Sequence, residues 1–300
     1  MTGNLQVAVF GLGSMGYGMA ASVRKAGHVT HGFDTDPARV AQFHGDGDAA
    51  DLADISDKID VAVVVVLNAA QVDAVLFGEA GIAPRMKSGA VIMVCATVPP
   101  AFARDMAARC AEYGVHYLDA PISGGAAKAA SGELSIMAAG THAAFDAARP
   151  VLDATATTVF ALGDTAGAGS AMKAVNQLLA GVHIAAMAEA MSFGMTQGIT
   201  PAQFMEVIPK CAGTSWMLEN RGPHVVDGDY APRSQVNIWP KDLGIVLDIA
   251  GGAGFDAPIT AMALAQYKAA VGMGLGGQDD AAVTKVYADQ AGLNLPGKGD

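Results

Sequence analysis

Three hundred residues suffice for two modest domains or one large one, and 52% hydrophobic residues, 16% charged residues and 37 glycines make a compact, core-rich chain rather than a disordered one. A net charge of −11 argues against nucleic acid or an anionic membrane as partner, since both require a basic surface. A small anionic substrate is not excluded, because one local cationic pocket suffices for it.

The first six residues carry no lysine or arginine ahead of the apolar segment, so a secretory leader is not expected. No apolar run reaches membrane length without polar interruption, so no membrane partner is expected. Cys95, Cys110 and Cys211 are odd in number and widely spaced, which fits reduced packing thiols in a cytoplasm.

In chain order, "LQVAVFG" (5–11) reads as a buried strand, "MGYGMAASVRKAG" (15–27) as a helix and "VTHGFD" (29–34) as a second strand. Further apolar runs follow: "DVAVVVVLN", "AVIMVCAT", "VHYLDAPIS", "LSIMAAG" and "TVFALG". Helical stretches such as "PAFARDMAARCAEYG" separate several of them. Continuous apolar strands alternating with helices indicate an α/β domain with a parallel sheet covered on both faces. After Gly163 strand-like runs all but vanish. The sequence thus divides into an α/β domain (1–164), an all-helical domain (165–290) and a loose tail (291–300).

The first turn, "VFGLGSMG", sets Gly11, Gly13 and Gly16 in a GxGxxG pattern between strand and helix. Gly11 permits the tight turn, Gly13 lets backbone approach a pyrophosphate, and Gly16 lets helix and strand pack closely. The free amides of Gly11, Leu12, Gly13, Ser14, Met15 and Gly16, at the positive helix end, suit phosphate. The second strand ends in Asp34, 18 residues after Gly16. An acid there bonds the adenosine ribose hydroxyls and repels a 2′-phosphate, which favours NAD over NADP. A turn aspartate before Pro37 is the plain alternative.

The stretch "SAMKAVNQLLAGVHIAAMAEA" (170–190) is apolar and unbroken by proline, and Lys173 is its only formally charged residue before Glu189. It reads as a long, mostly buried helix. A lysine in such a place snorkels, pairs with an acid, or serves a purpose. Asn176 and Gln177, three and four residues on, share its face. No group of His, Cys or carboxylates has metal-ligand spacing, so no metal is expected.

Four segments, "VFGLGSMGYGMA", "DAPISGGAAKAASGEL", "GAGSAMKAVNQLL" and "KDLGIVLDIA", together resemble the β-hydroxyacid dehydrogenase family, in family order over nearly the whole chain. Within it, "LNAAQVDAVLFGEAG", "QLLAGVHIAAMAEAM" and "SWMLENRGPHVVDGDY" look most like the L-threonate dehydrogenase branch.

The resemblance implies a Rossmann-type doubly wound sheet, a long interdomain helix, a helical domain, and an active site in the cleft between the domains. It implies NAD as cofactor, a small hydroxy acid as substrate, and a homodimer or homotetramer. Lys173 becomes the catalytic acid–base residue and Asn176 orients the hydroxyl or the amine. Ser123, Gly124 and Gly125 hold the substrate carboxylate, for which a hydroxyl beside unobstructed amides is suited. Leu67, Asn68 and Thr97, at strand ends, lie beside the nicotinamide half of NAD, and Lys241 lies near cofactor and substrate.

Asp242 either caps the helix that follows or pairs with a lysine. Lys128 reads as a solvated charge, Trp216 and Trp239 as core packing, and His183 as a structural histidine. The alternatives within the family are 3-hydroxyisobutyrate oxidation and tartronate semialdehyde reduction. Imine reduction is disfavoured by the presence of Lys173. A non-catalytic NAD-binding module is the reading from another class.

Overall fold

The computed structural model describes residues 4–45 and 49–297, so the end of the expected tail lies outside the described residues. It divides into two compact units, 1–173 and 174–300.

The first unit is built on five parallel strands: β1 (Gln6–Phe10), β2 (Val29–Phe33), β3 (Val61–Val64), β4 (Val91–Val94) and β5 (His116–Asp119), in the order β2-β1-β3-β4-β5. Val7 pairs with Thr30 on one side and Val61 on the other. Side chains alternate between the two faces of the sheet. Val7, Val9, Val61, Val63, Val91 and Met93 point to the face covered by α1 (Gly16–Lys25) and α7 (His142–Thr155). Ala8, Phe10, Ala62, Val64, Ile92 and Val94 point to the other face, under α4 (Ala69–Phe77) and α5 (Pro100–Ala111). Burial on both faces is why these strands read as unbroken apolar runs. The short helices α2 (Pro37–His44) and α3 (Leu52–Ile55) lie between β2 and β3 in sequence.

The last three strands leave this sheet. β6 (Ile122–Ser123), β7 (Leu134–Ala138) and β8 (Ala156–Ala161) form a second sheet, in which β7 pairs antiparallel with β6 and parallel with β8. Pro121 supplies no amide just before β6, and Gly124 and Gly125, with φ of 135° and 79°, then turn the chain into α6 (Gly125–Ser131). A bridge between Asp119 and Ala139 ties the two sheets together.

The long helix α8 runs from Ala168 to Thr196. Asp119, at the end of β5, anchors its start: Oδ2 accepts from the amides of Gly167 (2.8 Å) and Ser170 (2.9 Å), and Oδ1 from the Ser170 hydroxyl (2.6 Å). By length and composition α8 would span a bilayer. Its second half is instead core, with Ile184, Met187, Ala188 and Met191 packed in the second unit.

That unit continues with α9 (Pro201–Val207), α10 (Trp216–Val226), α11 (Ile238–Gly252), α12 (Pro258–Gly272) and α13 (Thr284–Ala291). Its core holds Phe204, Leu218, Val225, Leu243 and Tyr267, and Leu295 packs against it from beyond α13. Trp239 stacks on Tyr267 at 5.5 Å and donates to Asp280 at 3.0 Å, as a packing tryptophan does. Trp216 departs from the core-packing expectation: as the first residue of α10, behind its Ser215 cap, it is 62% exposed.

Candidate active site

The glycine turn joins β1 to α1 in the first unit. Gly11 has φ +92°, and its amide donates to the Phe33 carbonyl at 2.8 Å, fixing the turn against β2. A methyl on Gly16 would run into the Gly11 carbonyl oxygen, so close packing of helix on strand demands glycine there. Gly13 is different. A Cβ on it would meet only Arg39 Nη1, at 3.8 Å, so the protein itself leaves this backbone uncovered. Beside it lies a groove of about 310 Å³ lined by Leu12, Gly13, Ser14, Tyr17, Arg39 and Gln42. No acid occupies the first turn of α1 itself.

Asp34 stands at the mouth of this turn. Its Oδ2 accepts from the Leu12 amide at 2.7 Å and its Oδ1 from the Asp36 amide at 2.9 Å, while Arg39 lies 3.5 Å away. Burial works to raise its pKa, but the Asp36 and Leu12 amides and the Arg39 charge outweigh burial and hold it below the usual carboxylate value. The groove, the uncovered Gly13 and the fixed acid fit a dinucleotide, with a ribose near Asp34 and the phosphates on the turn amides from Gly13 onward. The amides of Gly11 and Leu12, expected free, are taken up by the Phe33 carbonyl and Asp34.

Elsewhere in the first unit, Lys173 is 8% exposed, and its Nζ donates to the Ile122 carbonyl at 2.9 Å. Ile122 immediately precedes Ser123, Gly124 and Gly125. The structure thus brings the buried lysine to the strand that carries the serine–glycine turn. Lys128, in α6, is exposed. Asn68 caps α4 through Gln71, and the Gln71 side chain in turn accepts from the Leu67 amide, so these two residues shape the loop after β3. Thr97 is half-buried in the segment after β4.

The second unit gathers a different set. Asn176 Nδ2 donates to Gln177 Oε1 at 2.9 Å, Gln177 Nε2 donates to Asp242 Oδ2 at 2.5 Å, and Lys241 Nζ lies 2.6 Å from Asp242 Oδ1. Asp242 sits inside α11, so of its two expected roles the lysine pairing is the one realised. His183 is half-buried on α8.

Sequence reasoning missed two features. Gln177 was seen only as a face-mate of Lys173, because its partner lies 65 residues away. Asp119, inside the apolar run "VHYLDAPIS", anchors α8. Burial pushes its pKa up, against the pull of the Ser170 hydroxyl and the surrounding amides. Its one sequence signal was an acid closing an apolar strand. Among the described residues, no three His, Cys, Asp or Glu side chains gather as a metal site would require.

A parallel sheet with a glycine turn and an acid just past the second strand defines a dinucleotide-binding protein. Comparison narrows the class. Residues 6–163 match the model for the NAD-binding domain of 6-phosphogluconate dehydrogenase, and residues 167–287 match that for the NAD-binding region of NADP-dependent 3-hydroxyisobutyrate dehydrogenase. An L-threonate dehydrogenase of Cupriavidus necator is 46% identical over 98% of this chain and 99% of its own. A 3-hydroxyisobutyrate dehydrogenase of Pseudomonas aeruginosa is 34% identical over 86% and 89%. Among solved structures, one described as a 3-hydroxyisobutyrate dehydrogenase from Salmonella typhimurium has a TM-score of 0.88 at 46% identity, covering 94% of this chain and 100% of that one. The chain belongs to the β-hydroxyacid dehydrogenase family, NAD-binding oxidoreductases that act on the CH–OH group of hydroxy acids.

Proposed function

We propose that this protein oxidises L-threonate to 2-oxo-tetronate with NAD. The observation that carries the chemistry is the placing of Lys173 Nζ at the Ile122 carbonyl, beside Ser123–Gly124–Gly125. Whole-length likeness to L-threonate dehydrogenases supports the choice of substrate.

Ser123 Oγ and the amides of Gly124 and Gly125 receive the carboxylate, which fixes the substrate's register. Lys173, in its neutral form, accepts the proton of the hydroxyl being oxidised and returns it in the reverse reaction. Asn176, one helical turn on, orients the amine. Lys241 adds positive charge for the anionic substrate. NAD, when bound, supplies the acceptor for the hydride leaving the substrate carbon, with its phosphates on the Gly11–Gly16 turn and a ribose at Asp34. Asn68 and Thr97 flank its nicotinamide half.

The three cysteines, none in a disulfide, support a cytoplasmic location. A homodimer or homotetramer is supported by exposed Met172, Val175, Leu179 and Phe193 along α8.

A second reading, 3-hydroxyisobutyrate as substrate, is favoured by the description of the Salmonella typhimurium structure. Steady-state assays with L-threonate, 3-hydroxyisobutyrate and glycerate, following reduced cofactor, decide between them. L-threonate should give the highest kcat/KM. A preference for 3-hydroxyisobutyrate would replace the first reading with the second. Binding of NAD without turnover of any hydroxy acid would mark a non-catalytic module.

A further inference from the structure

The side chains of Asn176, Gln177, Asp242 and Lys241 form one continuous polar chain in the second unit. Gln177 is 8% exposed and Asp242 2%, so neither amide nor carboxylate is free to exchange partners with water. The polarity of the chain follows from its one obligate acceptor. An ionised carboxylate beside a lysine can only accept, so the Gln177 group 2.5 Å from Asp242 must be its NH2. Gln177 Oε1 then faces Asn176 and can only accept, so the Asn176 group 2.9 Å away must be its own NH2. Asn176 is left with its carbonyl oxygen pointing elsewhere. One carboxylate thus sets the sense of two amides in series.

We propose that Gln177 and Asp242 are positioning residues: Asp242 holds Lys241 directly and, through Gln177, fixes the Asn176 amide so that its carbonyl oxygen is presented to the Lys173 amine one turn earlier. This rests on the reading of Lys173 as the acid–base group and of Lys241 as a substrate-facing one. The hydroxyl has a single proton, which goes to Lys173, so the Asn176 oxygen accepts from the neutral amine. One N–H of Lys173 goes to the Ile122 carbonyl, the other to Asn176, and the lone pair is left for the hydroxyl proton. A rotated amide would present an N–H to the Lys173 amine and occupy the lone pair that takes the proton. The charged group at the Gln177 amide is Asp242, with Lys241 beside it on its other oxygen, both from α11. Lys173 lies one turn earlier on α8.

The test is Gln177→Glu. Protonated, the new carboxylic acid donates to Asp242 and accepts from Asn176, reproducing the native polarity. Ionised, it still accepts from Asn176 but loses the donor to Asp242 and repels it, which drives the side chain out of line and Asn176 with it. The same repulsion together with burial raises its pKa above the usual carboxylate range. Turnover on the best hydroxy acid should therefore gain a new descending limb, falling about tenfold per pH unit above that pKa, while the variant's melting temperature shows it folded. Adding Asp242→Asn supplies an NH2 to the ionised acid and should remove the limb, with KM still raised because Lys241 has lost its partner.

A second readout needs no turnover: the side-chain 15N amide signal of Asn176, identified by its loss in Asn176→Asp, should shift along the same titration. A folded variant whose Asn176 signal and pH profile both match the parent would overturn the relay. A shifting Asn176 signal without turnover of any hydroxy acid would keep the relay and sink the dehydrogenase reading instead.

Discussion

The Leu12 amide donates to Asp34 Oδ2 at 2.7 Å, so the acid at the end of β2 is bonded to the turn that would hold the cofactor phosphates. Asp34 is therefore held in place as well as charged. A 2′-phosphate would meet a carboxylate kept ionised by the Asp36 and Leu12 amides against the cost of burial. NAD should be preferred over NADP by at least about tenfold in kcat/KM, about 1.4 kcal/mol. Asp34→Ser should erode that ratio and let Arg39, 3.5 Å from the carboxylate, turn to a 2′-phosphate. Equal use of NADP by the parent enzyme would show that Asp34 does not select.

The three turn glycines separate under substitution. Gly13→Ala should leave the melting temperature of the NAD-free protein within a degree or two, because its Cβ would meet only Arg39 at 3.8 Å. Its NAD dissociation constant, read by calorimetry, should rise by about tenfold or more, since a methyl then covers the approach to the backbone. Gly16→Ala should do the reverse and cost about 1–3 kcal/mol of stability through the clash with Gly11. A Gly13→Ala protein binding NAD as tightly as its parent would remove the pyrophosphate from this turn.

These contrasts show which features the sequence could reveal. The glycine turn and Asp34 were legible because their geometry is local: a strand, a tight turn and a helix read in order. Lys173 was legible because a lone charge in an apolar helix stands out. The partition of the eight strands into two sheets was not, since apolar runs look alike whether they pair parallel or antiparallel. Nor was Asp119, which lies 51 residues from Ser170, or the pairing of Gln177 with Asp242. Single-chain periodicity carries no record of partners that distant. The exposure of Trp216 was hidden for a related reason: hydrophobicity favours burial but does not say which aromatic escapes it.

Asp279 gives the pH prediction. It is fully buried and accepts from His224 Nδ1 (2.8 Å) and the amides of Arg233 (3.1 Å) and Ala281 (3.2 Å). Burial acts to raise its pKa, but the His224 hydrogen bond, the two amides and the His224 charge prevail and lower it from 3.8. A depressed folded pKa means that its contribution is present above the unfolded value and is lost as pH falls through the folded one. Asp279→Asn should cost about 1–3 kcal/mol at neutral pH. Below about pH 4 its stability should fall less steeply than the parent's. Parallel urea-melt stabilities from pH 7 to pH 2 would disprove the assignment.

Ser123→Ala addresses the carboxylate. It should raise KM for the acid substrate more than KM for NAD, because the hydroxyl lies on β6 and the phosphate turn between β1 and α1. If the methyl ester of the substrate is turned over as well as the acid, no carboxylate is read at this turn.

The lone lysine gives the sharpest test. Lys173→Met keeps the volume of the buried stem while removing the amine. A positioned acid–base group contributes about 10²–10⁴-fold, so kcat should fall by about 100-fold or more. NAD affinity should hold, because the turn from Gly11 to Gly16 and the acid Asp34 keep their contacts. The melting temperature should stay close to the parent's, because methionine keeps the packing of the buried stem. A purely structural lysine in a buried ion pair would behave in the opposite way: its removal would strand its partner, costing about 3–5 kcal/mol while the folded fraction kept near-normal chemistry. Melting temperature, NAD affinity and turnover on one variant therefore separate the two roles. A destabilised but active Lys173→Met protein would remove Lys173 from the chemistry, whereas a stable, NAD-binding and inactive one is the outcome expected.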